Sequence, residues 1–135
     1  MKINGSCHCK NIVYSAEIDP QRVVACHCTD CQTLSGSAFR TVAFTLEDAF
    51  TLESGTIKIY IKTAQSGRPR EQAFCPECGS PIYATSTGEG PRVYGLRVGT
   101  IEQRKELAPQ RHVWAQSALS WIQDMHTLPT IDQQP

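Results

Sequence analysis

Residues 26–31 read Cys26-His27-Cys28-Thr29-Asp30-Cys31 and place three thiols close together in the chain. Four more cysteines stand in two tight pairs, Cys7 with Cys9 and Cys75 with Cys78. Thiols grouped in this way are typical of metal sites, because a C-x-x-C turn brings two thiolates onto one tetrahedral ion. The sequence therefore predicts zinc as the metal and these cysteines as its ligands.

A disulfide framework is the competing explanation for close cysteine pairs. The count of seven cysteines is odd, and Met1–Lys10 has no apolar run of the length that a secretory signal needs. Cysteines two or three positions apart are also poor disulfide partners. Metal binding is favoured, and the cytoplasm is the predicted compartment because thiols stay reduced there.

Length and charge limit the classes of partner. A chain of 135 residues is expected to form one domain, residues 1–128, followed by a polar tail, residues 129–135, that we expect to be frayed. The 13 basic and 13 acidic residues cancel, so seven thiolates and two Zn²⁺ would leave a net charge near minus three. Nucleic acid is therefore not a predicted partner, because duplex affinity depends on surplus Lys and Arg. Nor does any apolar run approach the length of a membrane span.

Seven ligands divide naturally into four and three. The compact triad Cys26, Cys28 and Cys31 can bind one ion, which leaves the two pairs to form a closed four-cysteine site between distant parts of the chain. Alternatively, Cys7 and Cys9 complete a site with the triad, and the second pair is left as a two-ligand remnant. The first division is chemically simpler. It predicts two zinc ions, one of them with an open coordination position.

The hydrophobic pattern predicts a mainly β domain. Residues 57–62 (IKIYIK) alternate isoleucine with polar residues, which indicates a strand with one face on the core. Further short strands, separated by Gly and Pro, are predicted at Ile12–Ile18, Arg22–Cys26, Phe39–Phe44, Phe50–Glu53, Glu71–Phe74, Pro81–Thr85, Val93–Val98 and Arg111–Ala115. Helical pieces are predicted only at Thr29–Leu34 and Ser117–Met125, with a turn at Leu46–Ala49.

The three cysteine motifs together resemble the glutathione-dependent formaldehyde-activating enzyme family, which includes the centromere protein V type proteins. The resemblance covers nearly the whole chain and is carried by Gly5-Ser6-Cys7-His8-Cys9 with Tyr14, by residues 26–31 with Ser35-Gly36-Ser37, by Phe74-Cys75-Pro76-Glu77-Cys78-Gly79-Ser80, and by the closing residues His112, Ser117, Trp121, Asp124, Leu128 and Pro129.

The resemblance implies a mainly β, zinc-stabilised fold of the Mss4-like type with short helical turns. It also implies a structural zinc on Cys7, Cys9, Cys75 and Cys78 and a catalytic zinc on the triad. The activity that it implies is that of a carbon–sulfur lyase, in which glutathione and formaldehyde combine reversibly into S-(hydroxymethyl)glutathione. Zinc would either polarise the aldehyde as a Lewis acid or hold the thiol, and the sequence leaves both roles open.

Three positions depart from the family pattern, namely Lys10, where glycine is common, Gln32, where a basic residue is common, and Ala118, where lysine is common. The absence of a basic residue at Gln32 bears on glutathione as the specific thiol, because that tripeptide is anionic and needs cationic partners. Candidates for a substrate clamp elsewhere are Arg40, Arg68, Arg70, Arg92 and Arg97.

Several other side chains each have two possible roles, one in function and one in structure. His8 and His27 alternate with metal-binding cysteines, so they are expected to face away from the metals as solvated or hydrogen-bonded residues. Asp30 is either a turn residue or a group that supports the ligands. His112 is the most plausible acid, base or ligand outside the cysteines, although a histidine at the edge of the core is the commoner case. Trp114 and Trp121 are expected in the core or in a pocket wall.

Two classes of function follow from these patterns. One is an enzyme that acts on a small thiol, glutathione or an analogue. The other is a non-catalytic, zinc-stabilised binding module, since one fold serves many functions. The triad favours the enzyme, because a purely structural module has little need for an open metal position. The oligomeric state is not predicted by any of these features.

Overall fold

In a computed structural model, which describes residues 1–134, eight strands form one sheet. The strands are β1 (Lys2–Ser6), β2 (Val13–Cys26), β3 (Arg40–Ser54), β4 (Lys58–Thr63), β5 (Pro69–Phe74), β6 (Pro81–Ser86), β7 (Gly95–Arg97) and β8 (Arg111–Val113). A short α-helix, α1 (Thr29–Ser35), follows β2, and 3-10 turns lie at Val98–Thr100, Arg104–Glu106, Ala115–Ser117 and Ser120–Thr127. The predicted mainly β fold with short helical turns is confirmed.

The sheet runs in the order β1-β2-β3-β7-β6-β5-β4, with antiparallel neighbours throughout. Strand β8 pairs with β2 in parallel, outside that path. This order places the two long strands, β2 and β3, side by side inside the sheet and leaves β4 at one edge. The loop that carries residues 26–31 therefore begins at the end of an interior strand.

In two places, two strands predicted separately form one long strand in the structure, namely β2 and β3. Strand β2 contains both Ile12–Ile18 and Arg22–Cys26 almost completely, and its register shifts on either side of Ile18 mark bulges that let one strand change direction. The predicted turn at Leu46–Ala49 is wrong, because β3 continues through it. Asp48 there adopts a left-handed φ of 52°, and its carboxylate accepts a hydrogen bond from the Arg92 N–H. An irregularity within the strand thus replaces a turn.

Alternation along the strands gives the sheet two different faces. One row of paired residues crosses five strands on the core side and consists of Val23, Ala43, Leu96, Tyr83 and Ala73, all of them buried. Their sequence neighbours point to the opposite face, since successive side chains of a strand alternate. That opposite face forms the floor of the candidate site described below.

The strand predicted at residues 57–62 forms as β4, and Ile59 lies on the core side of the sheet because it pairs with Ala73 of the core row. Ile59 and Ile61 are 39% and 50% exposed, because β4 is the last strand of the sheet and no further element covers that face. Ile57, just before β4, is partly buried against the core, and within β4 the partly buried side chain is that of Lys62. The predicted orientation of the isoleucines agrees with the strand pairing, but Ile59 and Ile61 are not buried.

The C-terminal segment contains less helix than predicted. Residues 117–125 form 3-10 turns rather than an α-helix, and Leu128 and Ile131 are exposed. Pro135 lies outside the described residues, and the fraying of the tail stays a prediction, as does the domain boundary at residue 128. Within residues 1–134, no helix has both the length and the apolar character that a bilayer crossing requires.

Candidate metal centres and the adjoining cavity

The first thiol cluster joins two distant turns. Cys7 and Cys9 follow β1, whereas Cys75 and Cys78 follow β5, and all four sulfur atoms lie within 4.8 Å of one another. The Sγ atoms of Cys7 and Cys9 are 3.6 Å apart, and those of Cys9 and Cys75 are 3.8 Å apart. A tetrahedral zinc with Zn–S bonds of about 2.3 Å requires sulfur separations of about 3.8 Å. The cluster therefore fits a closed four-thiolate metal site.

Backbone geometry explains why these two turns present their thiols. The Ile12 N–H donates to the Cys7 sulfur at 3.2 Å, and the Gly79 N–H donates to the Cys75 carbonyl at 2.9 Å. Lys10 and Gly79 both have left-handed φ values, of 66° and 74°. The preference for glycine after the first cysteine pair follows from this conformation, which costs least without a Cβ. Lys10 adopts it and donates through Nζ to Ser6 Oγ at 3.0 Å.

The triad lies at the junction of β2 and α1. Cys26 ends the strand, Cys28 caps the helix by accepting from the Cys31 N–H at 3.2 Å, and Cys31 lies in the first turn. Their three sulfur atoms also lie within 4.8 Å of one another. A hydrogen bond from the Cys31 thiol lowers the pKa of Cys26 to about 5, and the same bond raises the pKa of Cys31. Cys26 is therefore the thiolate of the metal-free triad and Cys31 a thiol. Three sulfur donors at one place suit a metal with one position left open.

A cavity of about 420 Å³ adjoins the triad. All three cysteines line it, together with Val42, Phe44 and Ala84 from the non-core face of the sheet. Five cationic side chains also line it: Arg40, Lys62, Arg68, Arg70 and Arg97. Among the residues that the structure describes, no Asp or Glu belongs to this lining. The cavity is therefore strongly cationic beside a group of thiolates.

Strand register places the cations. Arg40 pairs with Cys26 across β2 and β3, Arg97 pairs with Val42 across β3 and β7, and Lys62 pairs with Arg70 across β4 and β5. Paired residues of neighbouring strands project from the same face. The four cations that lie in strands, Arg40, Lys62, Arg70 and Arg97, consequently share one face with Cys26 although they come from four strands.

Two of these arginines are buried without a counter-ion. Arg40 is 6% exposed and Arg97 is 7% exposed, and within residues 1–134 neither forms an ion pair with a carboxylate. Among residues 1–134, the Nε atoms of both arginines have no hydrogen-bond partner. Arg97 does donate through Nη2 to Gln72 Oε1 at 2.9 Å. Burial, and then the charge of Arg40, lowers the pKa of Arg97 to about 9. Buried cations with free donors are suited to an anion in the cavity.

The structure separates the other predicted clamp residues. Arg68 and Arg70 line the cavity from the β4–β5 hairpin, whereas Arg92 does not line it. Arg92 instead pairs with Glu71 at 3.2 Å and donates to the Gly88 carbonyl at 2.6 Å. Asp30 lies in the first turn of α1 and pairs with Lys62 Nζ at 2.8 Å.

The histidines contribute no ligand atom to either cluster in the described chain. His8 is exposed, and its backbone N–H donates to Ser80 Oγ, which ties the two turns of the first cluster together. His27 is buried, and its Nε2 lies 2.8 Å from His112 Nδ1. Burial, and then the neighbouring His112, lowers the pKa of His27. His27 is therefore a buried, hydrogen-bonded histidine rather than a solvated one, and His112 is its partner.

Gln32 and the two tryptophans connect the C-terminal segment to the triad loop. Gln32 Nε2 donates to the His27 and Ser117 carbonyls at 2.9 and 3.0 Å, so an amide has a structural use at this position. Trp114, with a left-handed φ of 56°, lines the triad cavity. Trp121 lines a separate cavity with Phe39 and Met125. Both tryptophans are wall residues, as predicted, but only Trp114 is near the triad.

Lys62 and Gln72 line the cavity, although the sequence pattern did not predict them as site residues. Both lie in strands, and alternation alone predicts that the polar face of residues 57–62 is in contact with water. A row of Lys62, Arg70 and Gln72 on strands next to each other is a signal for a polar cavity, and it requires knowledge of which strands pair.

Comparison with known proteins agrees with this geometry. The family model described as glutathione-dependent formaldehyde-activating enzyme matches residues 2–117. An uncharacterized lyase of Schizosaccharomyces pombe is 28% identical over 88 residues, which represent 64% of this chain and 61% of that protein. The chain therefore spans about three fifths of that relative's length. The crystal structure of a Rhodobacter sphaeroides protein matches with a TM-score of 0.62 at 19% identity, over 84% of this chain and all of the other, which shows a common fold.

Proposed function

Because the chain belongs to the glutathione-dependent formaldehyde-activating enzyme family, we propose that it is a zinc-dependent carbon–sulfur lyase. The reaction is the reversible addition of glutathione or a related thiol to formaldehyde or a similar small aldehyde. The observation that carries the proposal is a three-thiolate cluster at the wall of a cationic cavity. A three-ligand metal and an anion-binding wall are what an acidic thiol needs.

The proposal gives the two clusters different tasks. Cys7, Cys9, Cys75 and Cys78 hold a structural zinc that ties the turn after β1 to the turn after β5. Cys26, Cys28 and Cys31 hold a catalytic zinc, which when bound supplies an open position that attracts a thiolate. The closed cluster supports the first task because Cys7 and Cys75 are fully buried. The open cluster supports the second because it faces the cavity.

The chemical step is balanced without an oxidant. The thiol sulfur forms a bond to the aldehyde carbon, the π bond of the carbonyl opens onto oxygen, and the proton of the thiol ends on that oxygen. The guanidinium groups of Arg40 and Arg97 favour the thiolate form of the substrate and hold its acidic group. Trp114 and Phe44 add aromatic wall to the same space. These residues thereby orient the sulfur toward the aldehyde.

Thermal stabilisation by thiols tests the proposal. Glutathione is expected to stabilise the zinc-loaded protein by about 2.7 kcal/mol at one hundred times its Kd. S-methylglutathione is the matched control and should stabilise far less, because a thioether is a poor zinc ligand. Adduct formation with formaldehyde should accelerate in proportion to the protein and fall to the uncatalysed rate in Cys28→Ser. Thiols that neither stabilise the protein nor react faster in its presence would contradict the proposal.

A non-catalytic binding module is the second candidate. It is supported by the edge strand β4, where Ile59, Tyr60 and Ile61 are 39%, 53% and 50% exposed. An uncovered edge strand is a common place for another chain to pair. Loss of partner binding in Tyr60→Lys, together with a protein that does not accelerate the reaction, would favour the module over the enzyme.

A further inference from the structure

The charges around the cavity limit the kind of thiol that it can accept. Of the five cationic residues in the lining, Lys62 is paired with Asp30, which leaves Arg40, Arg68, Arg70 and Arg97. Three thiolates and one Zn²⁺ would add a net charge of minus one. Four arginines against that charge leave the cavity at plus three before a ligand binds. A ligand with a single negative charge would leave most of this charge uncompensated.

The arginines form two groups at different depths. Arg40 and Arg97 are more than nine-tenths buried, and in the described residues their Nε donors have no partner. Arg40 lies opposite Cys26, so an acidic group held there is close to the triad. Arg70 is half-buried and Arg68 is exposed, and both belong to the β4–β5 hairpin at the edge of the sheet. The cavity therefore offers one deep and one outer position for an anion.

The lining offers little to an ammonium group. No carboxylate belongs to the described lining, and the carbonyl oxygen of Gln72 already accepts from Arg97. The Ser66 hydroxyl accepts from the Arg68 N–H at 3.4 Å. A free amine on the ligand, such as that of the γ-glutamyl group of glutathione, would face guanidinium groups without a counter-ion, and like charges in a partly buried site repel.

We propose that this cavity selects a small thiol with two or more acidic groups and no free ammonium group. The proposal rests on the proposed function, because it takes the ligand to be the thiol of that reaction. It narrows that function to a substrate class, because glutathione is expected to bind the cavity more weakly than such a thiol. One acidic group binds Arg40 and Arg97 next to the sulfur, and the second binds Arg68 and Arg70.

Matched thiols test this selectivity by titration of the zinc-loaded protein. 3-Mercaptopropionate and cysteine differ only in the amino group, and mercaptosuccinate adds a second carboxylate to 3-mercaptopropionate. Mercaptosuccinate is expected to bind about tenfold more tightly than 3-mercaptopropionate, because a hydrogen bond to a charged group contributes about that factor. 3-Mercaptopropionate should in turn bind about tenfold more tightly than cysteine, because the ammonium group of cysteine is repelled by the guanidinium groups. Glutathione should bind more weakly than mercaptosuccinate.

Variants locate the two anion positions. Arg70→Met should remove most of the tenfold advantage of mercaptosuccinate, whereas Arg40→Met should weaken every acidic thiol about tenfold or more. Arg111→Met is the control, because Arg111 is exposed and does not line the cavity. If Arg40→Met does not fold, Arg40→Lys is the substitute variant. It should keep the charge and weaken the binding of acidic thiols, because lysine cannot make the bidentate contact of a guanidinium with a carboxylate. Equal affinity for cysteine and 3-mercaptopropionate, or an unchanged preference in Arg70→Met, would overturn the proposal.

Sulfur-free ligands separate this inference from the proposed function. Succinate and aspartate also differ only in the amino group. If no thiol binds more tightly than its sulfur-free counterpart, but succinate binds more tightly than aspartate and requires Arg40, the thiol chemistry is wrong and the charge selectivity holds. If thiols bind through the triad without regard to their charge, the proposed function holds and this inference is wrong.

Discussion

Cys26 lies directly opposite Arg40 in the antiparallel ladder between β2 and β3. The pairing puts a thiolate ligand and a buried guanidinium on the same face of the sheet, next to each other and at the same cavity. Burial lowers the pKa of Arg40, and the nearby charges of the triad offset part of that shift. One strand pair therefore positions both the proposed metal site and the proposed anion site.

Metal content is the first prediction. The purified, reduced protein should contain about two zinc ions per chain, one of them held tightly by the closed cluster and one exchanging faster at the open triad. A mild chelator should remove about one ion while the far-ultraviolet circular dichroism spectrum is kept. Metal analysis before and after chelation measures this. A single tight zinc with no labile fraction would count against a metal at the triad.

Replacement of single cysteines should separate stability from function. Cys75 is fully buried in the closed cluster, so Cys75→Ser should lower the free energy of unfolding by several kcal/mol, because metal binding is coupled to folding. Cys31 is partly exposed on α1, so Cys31→Ser should change that free energy by less than about 1 kcal/mol and abolish thiol binding. Melting temperatures and thiol titrations of both variants check this. Equal loss of stability would show that the clusters are not specialised.

Gly5→Ala should destabilise the protein at the strand pair that leads into the first cluster. A Cβ at Gly5 would overlap the ring of Tyr14, its partner across β1 and β2. Because Tyr14 is fully buried and cannot move freely, the expected cost is about 1–3 kcal/mol. Gly99→Ala is the control, since a Cβ there meets no atom within 4 Å and its φ is not left-handed. Chemical denaturation of both variants gives the comparison, and equal stabilities would refute the steric argument.

Stability should fall at high pH partly through Tyr14. Burial raises the pKa of Tyr14 to about 12, above its ordinary value of about 10. The folded protein therefore keeps the phenol proton longer than the unfolded chain, and the free energy of unfolding decreases as pH rises from about 10 to about 12. The full contribution of this residue is about 2–3 kcal/mol, present below pH 10 and lost above pH 12.

Tyr14→Phe measures that contribution. Phenylalanine cannot ionise, and the Thr100 hydroxyl that it leaves still donates to the Arg97 carbonyl at 2.8 Å. The variant should therefore lose less stability than the wild type between pH 10 and 12, as followed by urea denaturation at each pH. Parallel stability curves for the two proteins would mean that Tyr14 does not titrate in this range.

The cysteine motifs by themselves determined much about this chain. Ligand spacing is local, because a C-x-C or C-x-x-C turn sets the separation of its own two sulfur atoms, so the pairs and the triad could be recognised without the fold. The short strands and the mainly β class were also predicted from local alternation and from Gly and Pro. Local signals failed where an irregularity is absorbed by pairing with a neighbour, as at Asp48 inside β3.

Only the tertiary structure decided which distant residues share a face. The meeting of Cys7 and Cys9 with Cys75 and Cys78 was one of two divisions open to the sequence, and the packing of the turns after β1 and β5 brings these four together. The selection of Arg40, Arg68, Arg70 and Arg97 over Arg92, and the exposure of Ile59 and Ile61, likewise depend on strand order and register. Both are long-range properties, because a side chain's surroundings depend on which strand lies beside its own and not on its sequence neighbours.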